Sequence, residues 1–275
     1  MIRNLIRDCL PKAKKSSNTK MRSKLLVLGS IFLLLVTGVF CTKAKLALFV
    51  WKTVPVPALA LALDSHNPVL LRDIGNFYFS SEHYDIQKAE KYFKEAIEVD
   101  VTIPLVHYQL ARVHFINGEF IPAIKEIDKE IELYPNYKRS FYVRGLVYGY
   151  LDNFDRAASD FQTFLEAYPN SWAGHNDLSW IYFKKGDFIS ARDVAQKGLQ
   201  HYPDNPWLLN SLGIALLNLE QGEEAKRVFE ESLKHFENLD TGSWGRAYPG
   251  NNPKIYSEGL HQTKDSVMFN MSLLE

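Results

Sequence analysis

The chain has 275 residues, enough for one or two domains, and its 32 basic residues balance its 32 acidic ones. Only two cysteines are present, Cys9 and Cys41, which excludes a disulfide framework or a thiolate metal site from everything after residue 41. The balanced charge hides an asymmetry. Residues 1–24 carry eight Lys or Arg against Asp8 alone, a net of +7, leaving −7 on the remainder. Such a split fits a basic tail beside a membrane or a nucleic acid, and the stretch that follows favours the membrane.

Residues 25–41, LLVLGSIFLLLVTGVFC, run for seventeen positions without a charge. A membrane-spanning helix needs roughly 17–25 apolar residues, so a transmembrane helix is expected over 25–42. Thr42-Lys43-Ala44 is a poor cleavage site, and Phe40 before Cys41 argues against a lipoprotein, so an uncleaved anchor is favoured over a signal peptide. The eight preceding basic residues outweigh Lys43, Lys45 and Lys52. The expectation is therefore a single-pass membrane protein with a cytoplasmic N-terminus, its later residues periplasmic or equivalent; the inverted orientation is the alternative.

Residues 43–67 read as a linker, with Pro55 and Pro57 excluding a regular helix there, followed by a short helix over the ALALAL run, Ala58–Leu63. Asn67-Pro68 ends that helix and opens the next one.

From 68 to 234 the sequence keeps a fixed period. Ala89, Ala123, Ala157, Ala191 and Ala225 lie 34 residues apart. Ala111, Gly145, Ser179 and Gly213 precede four of them by twelve, and Pro135, Pro169 and Pro203 keep the same step. A bulkier column, Phe93, Ile127, Phe161, Ala195 and Phe229, follows each alanine by four. A period of this length means stacked supersecondary units. Each unit reads as two apolar-periodic helices joined by a short turn, such as NGEF (117–120) or KGDF (185–188). Small residues let the paired helices approach closely, the bulkier column is expected to fill the space between neighbouring units, and the prolines end each second helix. No unit can bury its own apolar face, so stacking is obligatory.

These columns resemble the tetratricopeptide repeat family. The resemblance implies an all-α fold, a right-handed superhelical solenoid of helix pairs, here preceded by the transmembrane helix. It also implies that the first helices line a concave groove. That groove would present Arg72, Asn76, Tyr108, Gln109, Arg112, Arg139, Tyr142, Tyr150, Asn176, Trp180, Lys184, Trp207 and Asn210, with Phe79, Phe115, Phe183 and Asn218 among them. Aromatic residues, Arg and Asn suit interface anchors. Members that grip a C-terminal carboxylate place basic residues and Asn where Arg72, Asn76, Gln109 and Arg139 fall, but Val143 breaks that pattern.

Residues 235–275 leave the repeat. Pro249, Gly250 and Pro253 forbid a further first helix. A second helix is expected from Lys254 to about Ser272, with Tyr256, Leu260, Val267, Met271 and Leu274 along one face. It reads as a cap on the solenoid end. The alternative is a functional loop around Trp244, Arg246 and Tyr248.

Catalytic and cofactor constellations are not found. His107 and His114 are two turns apart on one helix, too far for one metal, and the other six histidines are scattered. No phosphate loop, nucleophile elbow or zinc-protease motif occurs, so no enzyme activity, cofactor, metal, nucleic acid or small-molecule substrate is expected. The expectation is a membrane-anchored scaffold that binds a protein or peptide in its groove, within an envelope or membrane assembly complex. The alternative is a non-catalytic accessory or regulatory subunit of a membrane or envelope enzyme.

Overall fold

The computed structural model describes residues 43–242, 244 and 256–274. Every regular element among them is helical. The chain divides into two compact units, one built of the first four helices and the other of the rest.

The first unit contains α1 (Lys43–Thr53), α2 (Pro57–Leu63), α3 (Pro68–Phe79) and α4 (Ile86–Val99). The stretch expected to be a linker is thus helical as far as Thr53, and the proline pair confines the break to residues 54–56. Ala47, Trp51, Ala60, Leu70 and Ile74 form one buried cluster, and Trp51 meets the edge of Phe77 at 5.5 Å. Asn67 caps α3 through Leu70 N–H, and Asp85 caps α4 through Lys88 N–H.

The second unit contains α5 (Val106–Ile116), α6 (Phe120–Leu133), α7 (Arg139–Tyr150), α8 (Phe154–Ala167), α9 (Trp172–Lys184), α10 (Phe188–Leu199), α11 (Pro206–Asn218) and α12 (Gly222–Glu237). It ends with α13 (Tyr256–Ser272), which packs on α12. Helices α7 to α12 pack successively in pairs, as the period requires. All five alanines of the 34-residue column are fully buried.

The bulky column does more than the sequence suggests. Besides joining residues of the next unit, as Phe161 does with Leu178 and Ile181, it fills the inside of its own helix pair. A Cβ added at Gly145 would lie 3.2 Å from the Phe161 ring, and one at Gly213 would lie 2.5 Å from the Phe229 ring, both within one hairpin. In the first unit Gly75 faces Phe93 in the same way. Where the bulky column is smaller the partner is larger. Ile127 clusters with Ala111, and Ala195 belongs to the hairpin of Ser179, whose hydroxyl donates to the Ala191 carbonyl at 2.8 Å. A larger small-column residue thus offsets part of the volume lost opposite it, as close packing demands.

The turns also follow the period. Gly118, Asp152, Gly186 and Glu220, each 34 residues on, have φ of +75°, +54°, +75° and +61°. After each, an N–H bonds back five residues: Glu119 to the His114 carbonyl, Asn153 to Tyr148, Asp187 to Tyr182 and Gln221 to Leu216. This is a Schellman-type helix end, in which a left-handed residue satisfies the last carbonyls.

The localisation expected from the sequence is corrected. Among the described residues no helix is long and apolar enough to cross a membrane. The longest, α13, has 17 residues and includes Glu258, Lys264 and Asp265, whereas α1 has 11 and includes three lysines. The stretch 25–42, on which the single-pass placement and its orientation rested, lies outside the described residues.

Candidate functional site

The first helices of the second unit (α5, α7, α9 and α11) touch one another by a simple rule. Phe115 meets Tyr150 edge-on at 5.3 Å, and Trp172 stacks on Trp207 at 5.1 Å. The Tyr142 hydroxyl donates to Asp177 Oδ2 at 2.5 Å, and the Ser211 hydroxyl donates to Asn176 Oδ1 at 2.9 Å. Every one of these pairs is one repeat plus one residue apart. Successive helical positions are about 100° apart around the axis, so one register faces the following unit and the next register faces the preceding one.

An aromatic strip and a polar chain result. The strip runs from Phe115 through Tyr150 to Trp180, whose ring lies 5.9 Å from that of Tyr150. Tyr150 also stacks on Phe120 at 5.6 Å yet stays 58% exposed. The polar chain runs Tyr142, Asp177, Asn176, Ser211, since the Asn176 amide donates to Asp177 Oδ1 at 3.0 Å. Burial pushes the Asp177 carboxyl up to about 6 against the lowering effect of its two donors, and burial together with the Asp177 charge raises the Tyr150 phenol. Asn210, the residue before Ser211, holds a buried side-chain oxygen with no hydrogen-bond partner.

The other sequence-predicted residues are placed as follows. Tyr108 meets Tyr137 edge-on at 5.3 Å, Arg112 lies over the Tyr108 ring, and Arg112 also donates to Gln109 Oε1 at 2.7 Å. Arg139 is exposed and lies over Tyr168. Lys184 is exposed, with its ammonium 5.9 Å from the Phe154 ring centre. Trp207 is only 9% exposed; held between Trp172 and Phe236, it belongs to the core. Arg72 and Asn76 lie in the first unit, where Arg72 is bound to Asp73 and to the Pro104 carbonyl. Val143 is buried beside Ala111 and Ile127, so it leaves no place for a basic partner to Arg139.

Asp177 and Ser211 escaped the sequence reading because it followed the 34-residue step, and their partners lie at the 35-residue step. His107, His114 and His175 are buried, each with one ring nitrogen bonded, to Glu126, Glu119 and the Pro169 carbonyl respectively. One bonded nitrogen helps an imidazole to be buried at a helix pair, although the buried Nδ1 of His175 has no hydrogen-bond partner. Trp244, proposed above as part of a functional loop, is 7% exposed and packs on Gly259 of α13, with its indole N–H donating to Thr263. Arg246 and Tyr248 lie outside the described residues.

Residues 142–206 match the family described as Tetratricopeptide repeat. RNA polymerase II-associated protein 3 of Homo sapiens is 25% identical over 119 residues, 43% of this chain and 18% of that protein. TPR repeat-containing protein YpiA of Bacillus subtilis (strain 168) is 26% identical over 178 residues, 63% of this chain and 41% of that protein. The matched regions span less than half the length of these relatives. Among solved structures, MamA 41-end from Desulfovibrio magneticus RS-1 superposes with a TM-score of 0.58 at 19% identity, covering 63% of this chain and 97% of that one. YrrB, described as a TPR protein with an unusual peptide-binding site, gives 0.55 at 15% identity, covering 66% and 93%. At these identities the structural likeness shows the fold, a helical-repeat array.

Proposed function

We propose, from the premise of a chain that carries tetratricopeptide repeats, that this protein is a non-catalytic interaction scaffold that binds a protein or peptide partner along the first helices of its second unit. The observation that carries this reading is the strip Phe115–Tyr150–Trp180 beside the Tyr142–Asp177–Asn176–Ser211 chain. Large aromatic rings anchor interfaces with little entropy loss, and fixed polar groups can bond an extended backbone. The peptide-binding site ascribed to YrrB on the same fold supports the reading by analogy. The remaining groove residues, Tyr108, Gln109, Arg112, Arg139, Lys184 and Asn210, extend the same face on either side in this reading.

The test uses the full-length protein with a photo-crosslinking amino acid at position 150 or 180, and at Gln196 on the second-helix side as control. Crosslinked partner is expected at 150 and 180, and the yield at 150 is expected to fall with Trp180→Ala. Equal labelling at Gln196, or none at 150 and 180, would remove the first-helix face as the binding surface.

A further inference from the structure

Asp177 is a carboxylate without a cation. Among the described residues it forms no ion pair; its oxygens take one hydrogen bond each, from the Tyr142 hydroxyl and the Asn176 amide. An ionised carboxylate has about four lone-pair sites, so acceptor capacity remains on both oxygens. The groups around it supply no positive charge. Tyr142 and Tyr150 face it from α7. Ser211 follows Asn176 on α11, a helix whose sequence PWLLNSLGIALLN holds no charged residue. The cations of the neighbouring helices are engaged elsewhere: Arg144 with Asp160 and Asp128, Arg139 over Tyr168, Lys184 over Phe154. His175 on α9 bonds the Pro169 carbonyl.

Tyr150, which faces this carboxylate from α7, touches the ring of Trp180 with ring centres 5.9 Å apart. A carboxylate with acceptor capacity to spare and no cation, beside a ring that attracts cations, specifies a ligand that is positive and rich in N–H groups. An anionic ligand, such as a peptide carboxylate, would meet the Asp177 charge. The amide of Asn176 is fixed by donating to Asp177 and accepting from Ser211, so the carboxylate is held in position before any ligand arrives.

We propose that Asp177 is the specificity-determining residue of the binding face and receives the guanidinium or ammonium group of an arginine or lysine side chain in an extended segment of a partner protein, beside the ring of Tyr150. This rests on the first-helix binding face described above and adds the charge of its ligand. Asn176 and Ser211 are positioning residues. Because burial raises the Asp177 carboxyl, a cation that binds the ionised form is released as the pH falls through about 6.

The experiment is selection of a phage-displayed random dodecapeptide library on the full-length chain at pH 7.5, followed by fluorescence anisotropy with the selected peptides as labelled synthetic probes. Enrichment of Arg or Lys is expected. Replacing that residue by Ala in the probe, or Asp177→Asn in the protein, should each weaken binding about tenfold or more, with no further loss when the two are combined. Asn replaces Asp at nearly equal volume, and a thermal melt checks its fold. Should that variant fail to fold, anisotropy of the wild type from pH 8 to 5 replaces it, with weakening expected through pH 6. Selected peptides that lack basic residues, or an affinity indifferent both to the Arg or Lys of the probe and to pH, would overturn the inference while leaving the binding face intact. A library that yields no binder removes both.

Discussion

The Phe229 ring occupies the space in which a Cβ of residue 213 would stand; a Cβ built on Gly213 comes within 2.5 Å of the ring carbon Cε1. The two helices of that hairpin approach closely only because position 213 has no side chain, and the fully buried ring then becomes the wall of the interface. The Gly145–Phe161 and Gly75–Phe93 pairs repeat the arrangement.

Gly213→Ala is therefore expected to lower stability by about 1–3 kcal/mol, the usual range for overpacking a filled site. Phe229→Leu in the same chain should recover part of that loss. A double-mutant cycle by thermal melting measures it. Additive losses would show that the two side chains do not compete for one volume.

Two turns place side-chain-bearing residues in the left-handed region, Asp152 and Glu220, where the others have Gly118 and Gly186. A left-handed residue with a Cβ costs about 1–2 kcal/mol, partly offset by the extra unfolded-state freedom of glycine. Glu220→Gly should thus stabilise by up to about 1 kcal/mol, seen as a higher melting temperature. A lowered melting temperature would count against a strained turn.

Arg144 grips Asp160 with two bonds of 2.8 Å and reaches Asp128 at 2.7 Å. Asp160 is only 5% exposed, and its removal leaves a half-buried guanidinium with the exposed Asp128 as its remaining ionic partner. Asp160→Ala should cost about 3–5 kcal/mol, whereas Arg144→Leu with Asp160→Leu should cost much less, because no buried charge is left uncompensated. Chemical denaturation of both variants decides this.

Asp177 carries a pH signature in the free protein. Burial raises its folded pKa from 3.8 to about 6, so the native state holds a proton that the unfolded chain has released between those values. Its contribution to stability is present below about pH 4 and is lost as the pH rises through 6. Asp177→Asn should remove that slope and raise the melting temperature at pH 7 relative to wild type. An unchanged slope between pH 4 and 6.5 would assign it to other carboxylates.

Trp244 is expected to act on stability. Its ring packs on Gly259 and joins the cluster of Phe229, Phe236, Leu260 and Val267. Trp244→Ala should cost about 3–5 kcal/mol. Proteolysis would then cut within α13 before the repeats. Unchanged protease resistance would mean that α13 stays docked without the indole.

The helix pairs, their period, the small and bulky columns and a helix after the repeats were legible in the sequence. Each follows from local periodicity and residue volume, which need no knowledge of neighbours. The sequence also led to Tyr142, Tyr150, Asn176 and Trp180, because the register of a known repeat places them on the first helices. It did not reveal that each bulky residue packs inside its own hairpin, nor that Trp207 is core. It missed Asp177, since a period of 34 aligns equivalent positions and says nothing of which ones touch. Contact between units runs at a step of 35, as in Tyr142 with Asp177 and Asn176 with Ser211. Only stacking decides that step, because it sets which side of each helix meets the unit before and which meets the unit after.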